Sequence, residues 1–323
     1  LLPVTHPGVG PLAGHLQCAH GAGDLQQLPG EGVAGVAQGL KEGAGLARRD
    51  HPPGPPTGPQ AADCPDVQLI SFPGTWESSA TDSTEAPKFN PRSLMLQVTN
   101  PLDKRYADAR ADIWTVNYAA QFHNPVAVPP DGQMTYQASR QQGTDRAIAK
   151  ITAVKDKCPR TGFVLVGFSQ GATIAGNIAA QIGAGKGPIA AERLLGVGLI
   201  SDSRRVQGQG KAIGPDPAGE GVEVTFAGFS FSGVDLQGKR DGGFGSVNDR
   251  VVTICGSNDP ICNQPKGGLL GLATGLPQVI STITQNSHAA YGTTANWSLE
   301  GKTATQWLTG WATGVIDRAP KTK

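Results

Sequence analysis

The sequence predicts a three-layer α/β domain, with helices on both faces of a central, mainly parallel sheet of five strands. From Asp63 onward, segments with strand character alternate with segments of helical periodicity, which is typical of a doubly wound sheet. Residues 162–167 (GFVLVG) are almost wholly apolar, as expected of a parallel strand that is buried on both faces. Residues 170–182, which are rich in small side chains, follow closely and favour a helix packed on that strand.

Other segments of the domain carry equally regular patterns. The predicted strands are residues 66–71, 111–118, 162–167, 194–200 and 250–255. The predicted helices are residues 92–98, 135–157, 170–182 and 303–316. Residues 203–248, between the last two strands, are long and rich in Gly, so we expect an excursion or cap over one end of the sheet.

Residues 1–62 differ in composition from the rest of the chain. They lack Ile, Phe, Tyr and Trp, and they hold four of the six histidines. Residues 51–59 (HPPGPPTGP) form a linker that is incompatible with a helix or a central strand. Because such a segment cannot offset its ordering entropy, we predict disorder over residues 1–62 and a folded domain over residues 63–320. An out-of-frame stretch after a misassigned start is the alternative, and in either case these histidines are not a metal site.

The net charge of +1 at pH 7 over 323 residues predicts neither a nucleic-acid surface nor a polybasic membrane contact. No stretch approaches the roughly 18 apolar residues of a membrane-spanning helix. The first residues do not form a secretory signal. Because the chain begins at Leu1 rather than Met, we hypothesise that a targeting segment is missing from its start.

The cysteines indicate the compartment. All but Cys18 lie in the predicted folded domain. We expect Cys255 and Cys262 to close a short loop, and Cys64 to join Cys158 just before the central strand. Two disulfides would indicate an oxidising compartment, and therefore a secreted or cell-envelope protein. Reduced thiols are the alternative, and zinc is disfavoured because no CxxC pair or histidine cluster accompanies these residues.

The clearest functional signal is GFSQG at residues 167–171. It lies between the apolar strand and the small-residue helix, where a strained turn needs glycine on both sides of the central residue. A serine in that context is the nucleophile of an α/β hydrolase, so we predict that Ser169 is one. A chance Gly-Ser-Gly turn is the alternative, and the strand before it and the helix after it disfavour that reading.

A serine nucleophile needs a base to accept its proton and an acid to orient that base. In this fold the three residues follow the order Ser, Asp, His along the chain. His288 is the single histidine after Ser169, whereas His123 precedes it and is expected to cap or pack a loop. Asp259 follows a predicted strand and lies between two cysteines, and we predict it as the acid. Asp202 also follows a strand, but it lies near two arginines and is expected to be a structural ion-pair partner.

The negative oxygen that forms during acyl transfer needs preorganised N–H donors. The backbone N–H of Gln170 is one predicted donor, and Thr75 in the turn 72–77 (FPGTWE) supplies the second. Residues 183–187 (GAGKG) resemble a phosphate loop but follow a helix and lack a Ser or Thr after the lysine. The apolar residues 266–276 are too few to span a membrane, and we expect them to line an acyl-binding groove or lid, or to pack in the core. No metal or organic cofactor is expected.

Together these motifs resemble those of the cutinase family, specifically the cutinase-like proteins of mycobacteria and their relatives. The matching segments are CPDV at 64–67, GFSQGA at 167–172, CGSNDPIC at 255–262 and HAAYG at 288–292. The resemblance implies an α/β-hydrolase fold, a triad of Ser169, Asp259 and His288, and an oxyanion hole formed by Thr75 and Gln170. It also implies the disulfides Cys64–Cys158 and Cys255–Cys262.

The chain also resembles a larger, envelope-associated branch of that family, whose members are described as phospholipase- and thioesterase-like. This resemblance implies a serine esterase for lipid esters or thioesters that works without a cofactor at the cell envelope or a membrane surface. We expect it to be a monomer. Members of the branch carry a membrane anchor ahead of a Pro-rich linker, and this chain has the linker alone. Acyl transfer to a sugar or lipid acceptor and non-catalytic lipid binding are the alternatives.

Overall fold

The computed structural model describes residues 60–124, 128–266 and 288–322. These residues belong to one unit, Pro52–Lys323. Nearly all of the predicted disordered segment 1–62 lies outside the described residues. The same holds for residues 267–276 of the predicted acyl groove or lid.

A parallel sheet of six strands forms the centre of the domain, in the order β2-β1-β3-β4-β8-β5. Its strands are β1 (Val67–Phe72), β2 (Ala111–Thr115), β3 (Gly162–Phe168), β4 (Leu194–Ile200), β5 (Lys211–Ala212) and β8 (Val251–Ile254). A separate antiparallel pair joins β6 (Ser230–Phe231) to β7 (Val234–Asp235). The five predicted strands are confirmed, but the predicted number is too low. The sixth strand, β5, has only two residues and lies at the sheet edge. It contains no apolar run from which a strand could be predicted.

Helices cover both faces of the sheet and complete the predicted three layers. The helices are α1 (Leu94–Arg105), α2 (Tyr136–Lys157), α3 (Gln170–Gly183), α4 (Val222–Thr225) and α5 (Ala304–Arg318). On β1, Leu69 belongs to a core cluster with residues of α1 and α5, whereas its neighbour Ile70 belongs to a second cluster with residues of α2 and α3. Because successive strand side chains point to opposite faces, α1 and α5 pack on one side and α2 and α3 on the other.

Capping side chains determine where three of these helices begin. Ser93 accepts a hydrogen bond from the N–H of Met95, so α1 begins after it rather than at the predicted residue 92. Thr135 caps α2 in the same way. Thr303 and Gln306 form a reciprocal capping box at the start of α5.

Residues 203–248 form the predicted excursion between β4 and β8, and they contain β5, α4, β6 and β7. Buried ion pairs fasten this segment to the domain. The Arg140 guanidinium of α2 lies 2.9 Å from the Glu223 carboxylate of α4. Asp202 forms an ion pair as predicted, although its partner is Arg240 at 2.6 Å rather than one of the adjacent arginines. Both pairs are almost completely buried.

Two disulfides are present, Cys64–Cys158 and Cys255–Cys262, and both pairings are as predicted. The first joins the residues just before β1 to the end of α2. The second closes a loop directly after β8. Among the described residues, none of the helices is long and apolar enough to cross a membrane.

Candidate active site

Ser169 lies in a sharp turn between β3 and α3, with a φ of 54° and a ψ of −121°. This left-handed conformation is unfavourable for a serine, and it is the strained strand-to-helix turn that presents the nucleophile in α/β hydrolases. The flanking glycines permit the turn. A Cβ on Gly171 would lie 2.0 Å from the carbonyl oxygen of Phe72, and one on Gly167 would lie 2.6 Å from the carbonyl oxygen of Gly171. The close approach that the sequence predicts for these glycines is therefore present.

His288 lies beside Ser169 although 119 residues separate them along the chain. Its Nε2 is 2.8 Å from the serine Oγ, within hydrogen-bond distance. The imidazole stacks on the ring of Phe168, with centroids 4.9 Å apart and planes at 29°. Packing thus holds the ring in the orientation that directs Nε2 at the hydroxyl.

Asp259 lies on the other side of the imidazole, in the loop closed by Cys255 and Cys262. Both of its carboxylate oxygens are 3.1 Å from Nδ1 of His288, and the N–H of Ile261 donates to Oδ1 at 3.0 Å. Burial of Asp259 by itself raises its pKa. The charge of His288 and the donated hydrogen bonds outweigh burial, so the pKa lies below its ordinary value. The carboxylate is therefore stabilised in the charged form that can orient an imidazole.

Hydroxyl groups of two residues that the sequence did not single out also bind Asp259. Ser201, directly after β4, donates to Oδ2 at 2.5 Å. Tyr291 donates to the same oxygen at 2.7 Å and accepts a hydrogen bond from the N–H of Gly256. Tyr291 lies three residues after His288 in the HAAYG segment, which is the signal that could have identified it. Ser201 has no comparable signal, because its position follows from the pairing of β4 with β8.

The predicted oxyanion donors, Thr75 and Gln170, lie beside Ser169 and line the same cavity. Within the described part of the chain, neither backbone N–H donates a hydrogen bond. The Gln170 side chain is held by Ser139 at 2.8 Å and by the carbonyl of Gln121 at 3.1 Å. These backbone N–H groups are therefore available to a negatively charged oxygen at the serine.

The turn that carries Thr75 is held in place by Glu77, a third residue that was not predicted from the sequence. Glu77 is buried, and its Oε2 accepts a hydrogen bond from the N–H of Gly74 at 2.9 Å. Its Oε1 accepts from the N–H of Leu94 in the first turn of α1, at 2.5 Å. Burial raises the pKa of Glu77 above its ordinary value despite these hydrogen bonds.

A cavity of about 490 Å³, including its open mouth, borders Ser169. Its apolar lining comes from Phe122, Val222, Val234, Leu236 and Ile261. Its polar lining comes from Thr75, Tyr136, Ser169, Gln170, Ser203 and Glu223. Most of the apolar wall belongs to the excursion 203–248, which therefore lies over the end of the sheet that carries the serine, as predicted.

Neither rival candidate of the sequence reading contributes to this group of residues. His123 bonds Asp131 through Nδ1 at 2.5 Å in a partly exposed loop. Asp202 points to Arg240. Across residues 60–124, 128–266 and 288–322, no cluster of His, Cys, Asp and Glu could hold a metal ion.

Comparisons with known proteins agree with the motifs. The Cutinase family model matches residues 63–270. A protein named carboxylesterase Culp6 homolog, from Corynebacterium glutamicum, is 39% identical over 279 residues, which cover 82% of this chain and 88% of that protein. The catalytic core domain of acetyl xylan esterase from Trichoderma reesei aligns with a TM-score of 0.47 at 19% identity, over 80% of this chain and 100% of that one.

Two further solved structures align at similar levels. A cutinase-like protein from Cryptococcus sp. has a TM-score of 0.47 at 16% identity, over 80% of this chain and 98% of that one. Lysin B from mycobacteriophage D29 has a TM-score of 0.43 at 16% identity, over 78% of this chain and 100% of that one. The family model and the Corynebacterium relative decide the assignment, because each matches most of the chain. The resemblance that the motifs carry is confirmed, and this chain belongs to the cutinase family.

Proposed function

We propose that this protein is a serine esterase that hydrolyses carboxylic esters through an acyl-enzyme on Ser169. The observation that carries the proposal is the 2.8 Å contact between Ser169 Oγ and His288 Nε2, with Asp259 on the opposite nitrogen of the same imidazole. Nucleophile, base and acid thus stand in the relationship that acyl transfer requires. The Corynebacterium relative supports the same reaction class, since it is named a carboxylesterase.

In the proposed mechanism, Ser169 Oγ attacks the ester carbonyl carbon while His288 Nε2 takes the hydroxyl proton. The negative carbonyl oxygen accepts hydrogen bonds from the N–H groups of Gln170 and Thr75, neither of which donates to another group among the described residues. His288 returns the proton to the leaving alcohol as the carbon–oxygen bond breaks. Water then attacks the acyl-enzyme with His288 again as base, which releases the carboxylic acid and restores Ser169.

The cavity beside Ser169 supports a substrate with an apolar group next to the ester. Valine, leucine, isoleucine and phenylalanine side chains form one wall of it, so contact with an acyl chain would remove apolar surface from water. The Glu223 carboxylate also lines the cavity, and its charge is neutralised by the ion pair with Arg140. We therefore propose lipid esters or thioesters as substrates, in the manner of phospholipases and thioesterases of the cell envelope.

The disulfides support an extracytoplasmic location, because such bonds persist in oxidising compartments. We propose that the protein is secreted or retained at the cell envelope and works as a monomer on lipid presented at a membrane surface. If cells are fractionated, recovery of the protein with the envelope lipids at both low and high salt would support this location. Recovery of the natural protein with reduced cysteines from the cytoplasm would contradict it.

Hydrolysis of p-nitrophenyl esters with acyl chains from C2 to C16 tests the function directly. The wild type is expected to release p-nitrophenol, and Ser169→Ala and His288→Gln are expected to lose nearly all turnover. His123→Gln is the matched histidine control, because His123 pairs with Asp131, which is not part of the proposed triad. Equal rates for wild type and Ser169→Ala would overturn the proposal and favour a non-catalytic lipid-binding protein.

A further inference from the structure

Ser201 occupies a position on β4 that corresponds to that of Ser169 on β3. Each serine directly follows its strand, and both have a left-handed backbone, with φ values of 55° and 54°. The N–H of each donates to a carbonyl of the next strand of the sheet, Ile254 for Ser201 and Ile200 for Ser169, both at 2.9 Å. Left-handed conformations of residues other than glycine are rare and concentrate at functional sites.

The Ser201 hydroxyl is fully buried and points at the acid of the proposed triad. It donates to Oδ2 of Asp259 at 2.5 Å and lies 3.4 Å from Nδ1 of His288. A buried hydroxyl that bonds a buried carboxylate is an electrostatically strong contact, because little water competes for either partner.

We propose that Ser201 is a positioning residue, which fixes the Asp259 carboxylate so that it holds His288 in the orientation needed to activate Ser169. This inference rests on the proposed esterase function. It differs from the triad assignment because Ser201 touches neither the substrate nor the reacting atoms. Its shorter contact is to Asp259, and its longer one is to Nδ1 of His288 rather than to the Nε2 that transfers the proton.

The geometry around Asp259 explains why this hydroxyl matters. The two carboxylate oxygens are equally distant from Nδ1 of His288. The contact with the imidazole therefore does not by itself fix the rotation of the carboxylate about its side-chain bond. Ile261 fixes Oδ1, whereas Oδ2 is fixed by the hydroxyl groups of Ser201 and Tyr291. Without Ser201, Tyr291 would be the remaining side-chain hydroxyl donor to Oδ2 among the described residues.

Loss of the Ser201 hydroxyl should also change the charge balance of the site. The groups that face Asp259 are the imidazole of His288, the phenol of Tyr291 and the sulfur of the disulfide residue Cys262. The buried carboxyl of Glu77 acts on the same imidazole through its charge. With one donor fewer, the pKa of Asp259 should rise, because the hydrogen bond from Ser201 is one of the contacts that lower it. The acidic limb of the rate profile should then move to higher pH.

Ser201→Gly and Ser201→Ala test the proposal as a pair. Both remove the hydroxyl, but glycine accepts a φ of 55° without strain whereas alanine does not. If the hydroxyl positions Asp259, both variants lose roughly tenfold in kcat with KM little changed, the size expected for one hydrogen bond to a charged group. Both should also show the acidic limb of the kcat/KM profile at higher pH than the wild type.

Ser71→Ala is the matched control, because Ser71 is also a fully buried serine near a strand end but its Oγ has no hydrogen-bond partner in the described part of the chain. Its kcat and pH profile should equal those of the wild type. A folded Ser201→Gly variant with wild-type kcat and pH profile would overturn the inference, as would loss in Ser201→Ala alone, since that would assign the role to the backbone. Turnover by Ser169→Ala would refute the proposed function instead, so the two failures are distinguishable.

Discussion

Glu77 binds Gly74 across the turn that carries Thr75, with 2.9 Å between Oε2 and the backbone nitrogen. The other carboxylate oxygen binds the first turn of α1 through Leu94. The buried carboxylate of Glu77 therefore closes the turn through Gly74 and joins the turn to the first residue of α1 through Leu94. The position of the Thr75 N–H, a proposed oxyanion donor, depends on this arrangement.

Glu77→Ala should weaken both catalysis and stability. It leaves the N–H groups of Gly74 and Leu94 without their partner in a buried setting, which costs about 1–3 kcal/mol of unfolding free energy for each group. We expect kcat for ester hydrolysis to fall at least about tenfold as the turn loses its support. Glu77→Gln keeps one carbonyl oxygen and should lie between alanine and wild type. An unchanged kcat in folded Glu77→Ala would contradict this role.

Gly171→Ala should prevent the turn at Ser169 from forming. The new Cβ would lie 2.0 Å from the carbonyl oxygen of Phe72 and 2.4 Å from that of Pro73, and neither backbone group can move freely. We expect loss of activity together with a lower melting temperature. Gly310→Ala in α5 is the matched control, because its Cβ would meet nothing within 4 Å. It should raise the free energy of unfolding by about 0.5–1 kcal/mol. Full activity in Gly171→Ala would contradict the close approach.

The two disulfides should separate stability from activity. Cys64–Cys158 closes a loop of 94 residues and Cys255–Cys262 one of 7. In the chain-entropy model, removal costs about 4–5 kcal/mol for the longer loop and about 2–3 kcal/mol for the shorter. The double alanine variant of the first pair should therefore unfold at lower denaturant concentration. The variant of the second should lose more kcat, because its loop holds Asp259. A larger loss of stability in the Cys255–Cys262 variant, together with a larger loss of kcat in the Cys64–Cys158 variant, would contradict these expectations.

The free energy of unfolding at acidic pH should depend on the ionisation of Asp66. Burial by itself raises the pKa of Asp66, but hydrogen bonds from Thr322 and the Arg110 guanidinium outweigh it, so the pKa lies below the ordinary 3.8. The folded state thus binds this proton less readily than the unfolded state. The resulting stabilisation is complete above the unfolded pKa and is lost as pH falls through the folded one.

Asp66→Asn should therefore lower the free energy of unfolding at pH 7 by about 1.5–3 kcal/mol, the range for hydrogen bonds to a charged group. The difference from wild type should shrink as the pH falls below about 4, where Asp66 of the unfolded chain becomes protonated. Urea unfolding at a series of pH values measures it. A difference that stays constant with pH would show that the charge of Asp66 is not responsible.

The sequence predicted the parts of this fold that depend on local pattern. Residues 162–167 are apolar because β3 is central, and the GFSQG segment identifies the turn after it. Asp259 and His288 could be selected by their order along the chain and by the flanking cysteines. His288 contacts Ser169 and Asp259 contacts His288, which is the arrangement that the motifs led us to expect.

Features that depend on contacts between distant segments were not predictable in the same way. The strands β5, β6 and β7 have two residues each and lie among glycines, so they carry no periodicity. Asp202 pairs with Arg240, 38 residues away, rather than with an adjacent arginine. The hydroxyl of Ser201 meets Asp259 because β4 and β8 are neighbours in the sheet. A single sequence does not reveal that pairing.

Covalent labelling with a fluorophosphonate tests the central claim most directly, since this reagent phosphonylates an activated serine Oγ and releases fluoride. Peptide mapping of the labelled wild type should locate the modification on Ser169. Ser169→Ala should remain unlabelled. His288→Gln should react far more slowly, because Ser169 Oγ then lacks the base that lies 2.8 Å away in the wild type. Labelling of another residue, or equal labelling of wild type and Ser169→Ala, would contradict the account.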